Sequence, residues 1–206
     1  MLKGLYVITN EIKDANNENL TRIEQVLKSG ANIIQLRNKY ATDDEIMPLA
    51  LEIKNLAKQY NATFIIDDRV ELAKRIDSDG VHIGKFDSKL KEIRYYLKHM
   101  IIGVSCYGNI KYALEMERLG ANYVAFGSFF KSPTKPESTI IPLDTISNAK
   151  KLLKVPVCAI GGITIENAPL LLNQNVDMIS VISDIWNNND IMHQTNEYTN
   201  LIKGYK

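Results

Sequence analysis

Eight short apolar runs, each followed by a longer stretch with helical spacing, constrain the fold of this chain more than any other feature. The runs are Gly4 to Thr9, Asn32 to Arg37, Thr63 to Ile66, Gly80 to Ile83, Ile101 to Ser105, Asn122 to Gly127, Val155 to Ile160 and Met178 to Ile182. Several are apolar almost throughout, as strands are when both faces of their sheet are covered. Between the first two runs, Leu20, Ile23, Val26 and Leu27 share one helical face, and Gly30 supplies a stop. The next helical stretch, "DDEIMPLALEIKNLAKQY", carries Pro48, expected within about its first turn, where proline costs least. A break at "NNND" precedes a last helix with Asp190 as its expected N-cap. Eight strand–helix units are the count of an α/β (β/α)8 TIM barrel, here one domain over residues 1–206. A doubly wound open sheet would bring a glycine-rich first turn, and "YVITNEIKDAN" contains no GxGxxG.

With 45% apolar and 24% charged residues in 206, the chain has the composition of a soluble globular protein. A formal charge of +1 without a basic stripe gives nucleic acid nothing to bind. No apolar run reaches the length of a membrane span, so no membrane partner is expected. The first residues enter a strand pattern at once, which argues against a signal peptide. Cys106 and Cys158 are far apart and form no CxxC, so neither zinc nor a disulfide framework is expected. Reduced apolar cysteines fit a cytoplasmic protein. His82, His99 and His193 have no ligand spacing.

In such a barrel the chemistry belongs to the carboxyl ends of the strands. "QLRNK" places Gln35, Arg37 and Lys39 at a period of two, on one side of strand two and its extension. Two cations facing a barrel mouth call for an anion. Asp68 and Asp87 follow neighbouring strands and suit Mg2+, which takes one or two carboxylates, waters and phosphate oxygens. Helix capping would explain either carboxylate by itself. "AIGGIT" and "SVISD" follow strands seven and eight, the usual phosphate position. There Gly161 and Gly162 let backbone N–H groups approach an anion, and Ser183 can open a helix. The loop from Phe126 to Pro142 is long enough for a lid, with Ser132, Thr134 and Lys135 as phosphate ligands. His82 sits between Val81 and Ile83, where a hydrogen-bonded structural histidine is the commoner case. Ser105 shows no neighbouring base and reads as a hydrogen-bond donor to substrate.

Taken in order, "QLRNK", "IIDDR", "DGVHIG" with Asp87, "GVS", "SPTK", "AIGGIT" and "VIS" resemble the thiamine-phosphate synthase family over nearly the whole chain. The resemblance implies a (β/α)8 barrel that joins hydroxymethylpyrimidine diphosphate to hydroxyethylthiazole phosphate and releases pyrophosphate with help from Mg2+. By position, Gln35 would touch the pyrimidine. Arg37, Lys39, Ser105 and Lys135 would hold the pyrophosphate, with Asp67 beside it. Asp68 and Asp87 would hold Mg2+. Ser132, Thr134, Gly162, Val181, Ile182 and Ser183 would surround the thiazole phosphate. The chain departs from the family's usual pattern at Asp67, where Asn is common, at Lys85, where Gln is common, and in the lid at Lys131 and Ser132. Asp67 and Lys85 follow adjacent strands, about 5 Å apart, so they are expected to form a compensating ion pair.

Two other readings stay open at this point. A sister family on the same barrel isomerises a thiazole carboxylate phosphate using a histidine after strand five, where this chain has Cys106 and Tyr107. A non-catalytic relative could bind thiamine precursors and report on them. Homo-oligomerisation is also left open.

Overall fold

The computed structural model describes residues 2–12, 14–84, 90–132 and 137–205. Eight parallel strands close into a barrel in chain order: β1 (Gly4–Ile8), β2 (Ile33–Leu36), β3 (Thr63–Asp67), β4 (Gly80–Ile83), β5 (Ile101–Tyr107), β6 (Tyr123–Phe126), β7 (Val157–Ile160) and β8 (Met178–Val181), with β8 pairing back onto β1. Each strand found is one that the apolar runs mark. Nine helices lie among the described residues: α1 (Asn17–Lys28), α2 (Asp43–Gln59), α3 (Val70–Arg75), α4 (Leu90–Tyr96), α5 (Ile110–Arg118), α6 (Asp144–Lys150), α7 (Ala168–Leu172), the single turn α8 (Ser183–Trp186) and α9 (Ile191–Gly204).

Alternation along each strand separates two cores. Leu5, Val7, Ile34, Phe64, Ile66, Val81, Val104 and Ile179 point outward and pack under the helices. Tyr6, Ile8, Ile33, Ile65, Tyr123, Ala125, Cys158 and Met178 point inward and fill the barrel. Gly103 is required by this interior: a Cβ there would lie 2.0 Å from the ring of Tyr123, which is fully buried.

The helix signals hold with one change, and one strand is longer than its apolar run. Ile23, Val26 and Leu27 are buried on α1, and Gly30 follows at φ +93°, a left-handed stop that glycine enters without cost. Asp190 caps α9 by accepting from the His193 N–H. Pro48, by contrast, lies inside α2, in its second turn, because the helix begins at a Thr42–Glu45 capping box. β5 runs two residues past Ser105 to Tyr107, with a register shift against β6 between Ser105 and Tyr107. Cys106 therefore faces the helix layer and Cys158 the barrel interior; both are buried free thiols. Burial pushes the Cys106 thiol up to about 12 and Cys158 higher still, which leaves both unreactive at neutral pH.

Candidate active site at the carboxyl ends of the strands

A cavity of about 1100 Å3 opens at the carboxyl end of the barrel. Residues from β2, β3, β4, β5, β7 and β8 and their following loops line it, among them Gln35, Arg37, Lys39, Asp67, Asp68 and Ser105. Ser132, Gly162, Val181, Ile182 and Ser183 line it as well, from the loops after β6 and β7 and the end of β8. Asp87, Thr134 and Lys135 lie outside the described residues, as does Lys85.

The period of two in "QLRNK" survives the end of β2. Gln35, Arg37 and Lys39 face the cavity, while Asn38 turns the other way and is buried. Asn38 donates to the Ile12 carbonyl at 2.7 Å and accepts from the N–H groups of Tyr40 and Ala41, so it locks the loop that carries both cations. The Arg37 N–H donates to the Thr9 hydroxyl at 3.0 Å, and its guanidinium pairs with Glu11.

Charge at this rim is organised around Lys39. Its ammonium is bonded to Asp68 and lies 2.9 Å from Asp67 Oδ2. Burial opposes that charge, but the two carboxylates outweigh it and hold the ammonium above its ordinary pKa. Asp67 is largely buried; burial, and then the neighbouring charge of Asp68, raise its carboxyl above the usual range. Its partners are Gln35 Nε2, which donates at 2.7 Å, then Lys39, with Arg37 Nε at 3.9 Å. The negative charge at position 67 is thus met by cations of the second strand's extension; the expected pair with Lys85 involves a residue outside the described ones.

Asp68 directly follows β3 at φ +60°, a left-handed conformation that Asp tolerates better than most residues. It does not cap the following helix: α3 begins after Arg69 with no side-chain cap. Capping therefore does not account for its position, and its carboxylate lines the cavity. Among the described residues no three His, Cys, Asp or Glu side chains converge on one point. The carboxylate of Asp68 fits a cation that needs one or two protein carboxylates and completes its shell with water and phosphate, as Mg2+ does.

Deeper in the barrel, a chain of hydrogen bonds crosses from β2 to β5. The Tyr6 hydroxyl donates to Gln35 Oε1 and lies 2.8 Å from the Tyr123 hydroxyl. Tyr123 is 2.9 Å from His82 Nδ1, and His82 Nε2 is 2.8 Å from Ser105 Oγ. Ser105 does have a base at hydrogen-bond distance, which the sequence did not reveal. Burial above all holds both tyrosines far above their ordinary pKa, against the bond from Tyr6 in the case of Tyr123, so they remain neutral hydroxyls.

The glycine pair after β7 has a packing role as well. A Cβ on Gly161 would meet Ser128 Oγ at 1.9 Å, and one on Gly162 would meet the Lys131 carbonyl at 2.2 Å. The first part of the long loop after β6 docks here: Phe129 donates to Ile160 O and Phe130 to Gly161 O. Ser180 was also missed. It is buried on the inward face of β8, it lines the cavity, and its hydroxyl has no partner among the described residues. The inward parity of β8, shared with Met178, was the signal that could have found it. Tyr6 and Tyr123 share that inward parity on β1 and β6, whereas Glu11, in the loop after β1, carried no such signal.

A barrel whose carboxyl-end mouth combines paired cations, a carboxylate rim and several hydroxyls has the equipment of an enzyme for phosphorylated small molecules. A family model described as thiamine monophosphate synthase matches residues 5–185. The thiamine-phosphate synthase of Wolinella succinogenes is 42% identical over 90% of this chain and 86% of its own. That of Picrophilus torridus is 40% identical over 90% of this chain and 89% of its own. A solved thiamine phosphate pyrophosphorylase from Pyrococcus furiosus superposes with a TM-score of 0.89 at 33% identity, covering 98% of this chain and 96% of that one. The chain belongs to the thiamine monophosphate synthase family.

Proposed function

We propose that this barrel condenses hydroxymethylpyrimidine diphosphate with hydroxyethylthiazole phosphate to give thiamine phosphate and pyrophosphate. The observation that carries the reading is the cation-bearing loop after β2, with Arg37 and Lys39 directed into one mouth beside the carboxylate of Asp68. The bond from the pyrimidine methylene to the diphosphate oxygen breaks, and its electron pair leaves with pyrophosphate. A bond then forms between that carbon and the thiazole nitrogen. Such a reaction needs stabilisation of charge on the leaving group more than a nucleophilic side chain.

Arg37 and Lys39 are assigned to the diphosphate, with Lys135 of the lid. In the structure these two cations are held by three carboxylates, Glu11, Asp67 and Asp68, so the cations are positioned in advance but must exchange partners when a diphosphate arrives. Asp68 and Asp87 would hold Mg2+, which supplies further positive charge to the departing diphosphate. Displacing Lys39 from Asp68 would free the ammonium for phosphate oxygens. Gln35 is assigned to the pyrimidine, and Ser105, expected from the resemblance on the pyrophosphate, is assigned there too because its hydroxyl is bonded to His82 at the end of the hydrogen-bond chain that starts from Gln35. Ser132, Thr134, Gly162 and the Val181–Ile182–Ser183 turn are assigned to the thiazole phosphate. The sister isomerase reading has no support from the residue after Ser105, since Cys106 points away from the mouth. The described residues include no helix long and apolar enough to cross a membrane, and a biosynthetic enzyme of this kind belongs in the cytoplasm.

Expression in a bacterial strain lacking thiamine-phosphate synthase tests the assignment. The chain should restore growth without added thiamine, and Arg37→Ala should not. Failure of the folded, expressed wild-type chain to rescue growth would count against the function.

A further inference from the structure

The buried hydrogen bonds between β2 and β5 have a direction, and it is fixed at one end. Asp67 Oδ1 belongs to a carboxylate whose other oxygen lies 2.9 Å from the Lys39 ammonium and 3.9 Å from Arg37 Nε, so it stands here as an ion-pair oxygen. It can only accept, so the Gln35 group 2.7 Å away is the amide nitrogen, and the amide oxygen faces Tyr6. An amide oxygen has no proton, so Tyr6 must donate its only one to Gln35. The Tyr6–Tyr123 contact of 2.8 Å then requires Tyr123 to donate. Tyr123 has now used its proton, so its bond of 2.9 Å with His82 needs a proton on Nδ1 of the imidazole. In the neutral ring, Nε2 is left as an acceptor, and the hydroxyl proton of Ser105, at 2.8 Å, points to it.

We propose that Tyr6, Tyr123 and His82 are positioning residues that carry this one-way chain from Ser105 to Asp67, so that Ser105 presents oxygen lone pairs rather than its proton to the mouth. The inference rests on the function proposed above only for its substrate: a Ser105 acceptor suits an N–H of the pyrimidine, in place of the donor role expected from the sequence. The three residues form no part of the charged rim, and Tyr6 and Tyr123 are fully enclosed by the barrel wall. Asp67 and His82 are register partners on β3 and β4, so the chain leaves Asp67 through β2, crosses the barrel through β1 and β6, and returns beside its origin.

The test is the nitrogen-15 NMR spectrum of histidine-labelled protein, with His99→Gln and His193→Gln variants assigning the His82 signals. It needs no substrate, so it stands or falls apart from the proposed reaction. The expected result is a neutral His82 with its proton on Nδ1, and a shift of Tyr123→Phe toward the Nε2–H tautomer. With the substrates, Tyr123→Phe should lower kcat by about tenfold, the equivalent of one hydrogen bond, with KM within about twofold. Adding Ser105→Ala to Tyr123→Phe should cost less than Ser105→Ala costs alone. An Nε2–H tautomer in the wild type, or a tautomer unmoved by Tyr123→Phe, overturns the proposal.

Discussion

Replacing Gly103 with alanine tests how far the barrel interior is packed around Tyr123. A Cβ at position 103 would lie 2.0 Å from Tyr123 Cζ and 2.3 Å from its hydroxyl oxygen, where ordinary contact begins at 3.4 Å. The ring would have to retreat by about 1.4 Å, and it is fully enclosed. Overpacking of this kind costs about 1–3 kcal/mol. The ring tip also carries the bonds to Tyr6 and His82, and losing them adds about 1 kcal/mol each. Backbone entropy acts the other way, since alanine restricts the unfolded chain and would by itself stabilise by about 0.4–1 kcal/mol. The net expectation is a loss of about 3 kcal/mol. With a urea slope of about 2 kcal/mol per molar, the midpoint should fall by about 1.5 M. Tyr123→Leu combined with Gly103→Ala should recover part of the loss, because it removes the ring tip. A midpoint within about 0.3 M of wild type for Gly103→Ala alone would refute the packing argument.

Three further outcomes follow from the site. The Asp67 carboxyl is raised in the folded state by burial and by Asp68, so its contribution is present below the ordinary carboxylate pKa and is lost as pH climbs through the folded value. Asp67→Asn should therefore gain stability relative to wild type as pH rises from about 4 towards neutral, and a flat or falling difference in thermal melts would contradict the assignment. Asp68→Ala should raise the Mg2+ concentration for half-maximal activity by about tenfold while leaving the melting temperature within a few degrees, because Asp68 caps no helix; an unchanged Mg2+ dependence would remove Asp68 from the metal site. Gly162→Ala places a Cβ 2.2 Å from the Lys131 carbonyl at a φ of +62°, so it should destabilise by about 1–2 kcal/mol and raise KM for the thiazole phosphate, with wild-type values of both counting against the docking role of this turn.

The barrel was legible because its strands are covered on both faces, so each appears as an apolar run whatever its partners. The charged rim was legible for a related reason: Arg37 and Lys39 keep the inward parity of β2 beyond its last strand residue, and polar residues at such positions stand out. The start of α2 at Asp43 was legible, and Pro48, its sixth residue, lies one turn further in than the first turn expected for it. Ser105 looked like a strand end because the irregularity after it is a matter of register against β6, which one strand's sequence does not carry. The Tyr6–Tyr123–His82 chain joins residues up to 117 apart in sequence. Each reads alone as an ordinary strand residue, and only closure of the barrel brings their polar atoms together. Glu11 and the second role of Gly161 and Gly162 were hidden likewise, since both depend on neighbouring loops that approach only in the fold.

The most direct measurement of the central claim is product formation by purified protein given both precursors and Mg2+, with thiamine phosphate and pyrophosphate quantified in the same reaction. The account predicts equal amounts of the two products at every time point, formation that stops on adding EDTA, and a rate reduced by at least about a hundredfold in Arg37→Ala. Pyrophosphate released without thiamine phosphate, or no product from correctly folded protein, would contradict it.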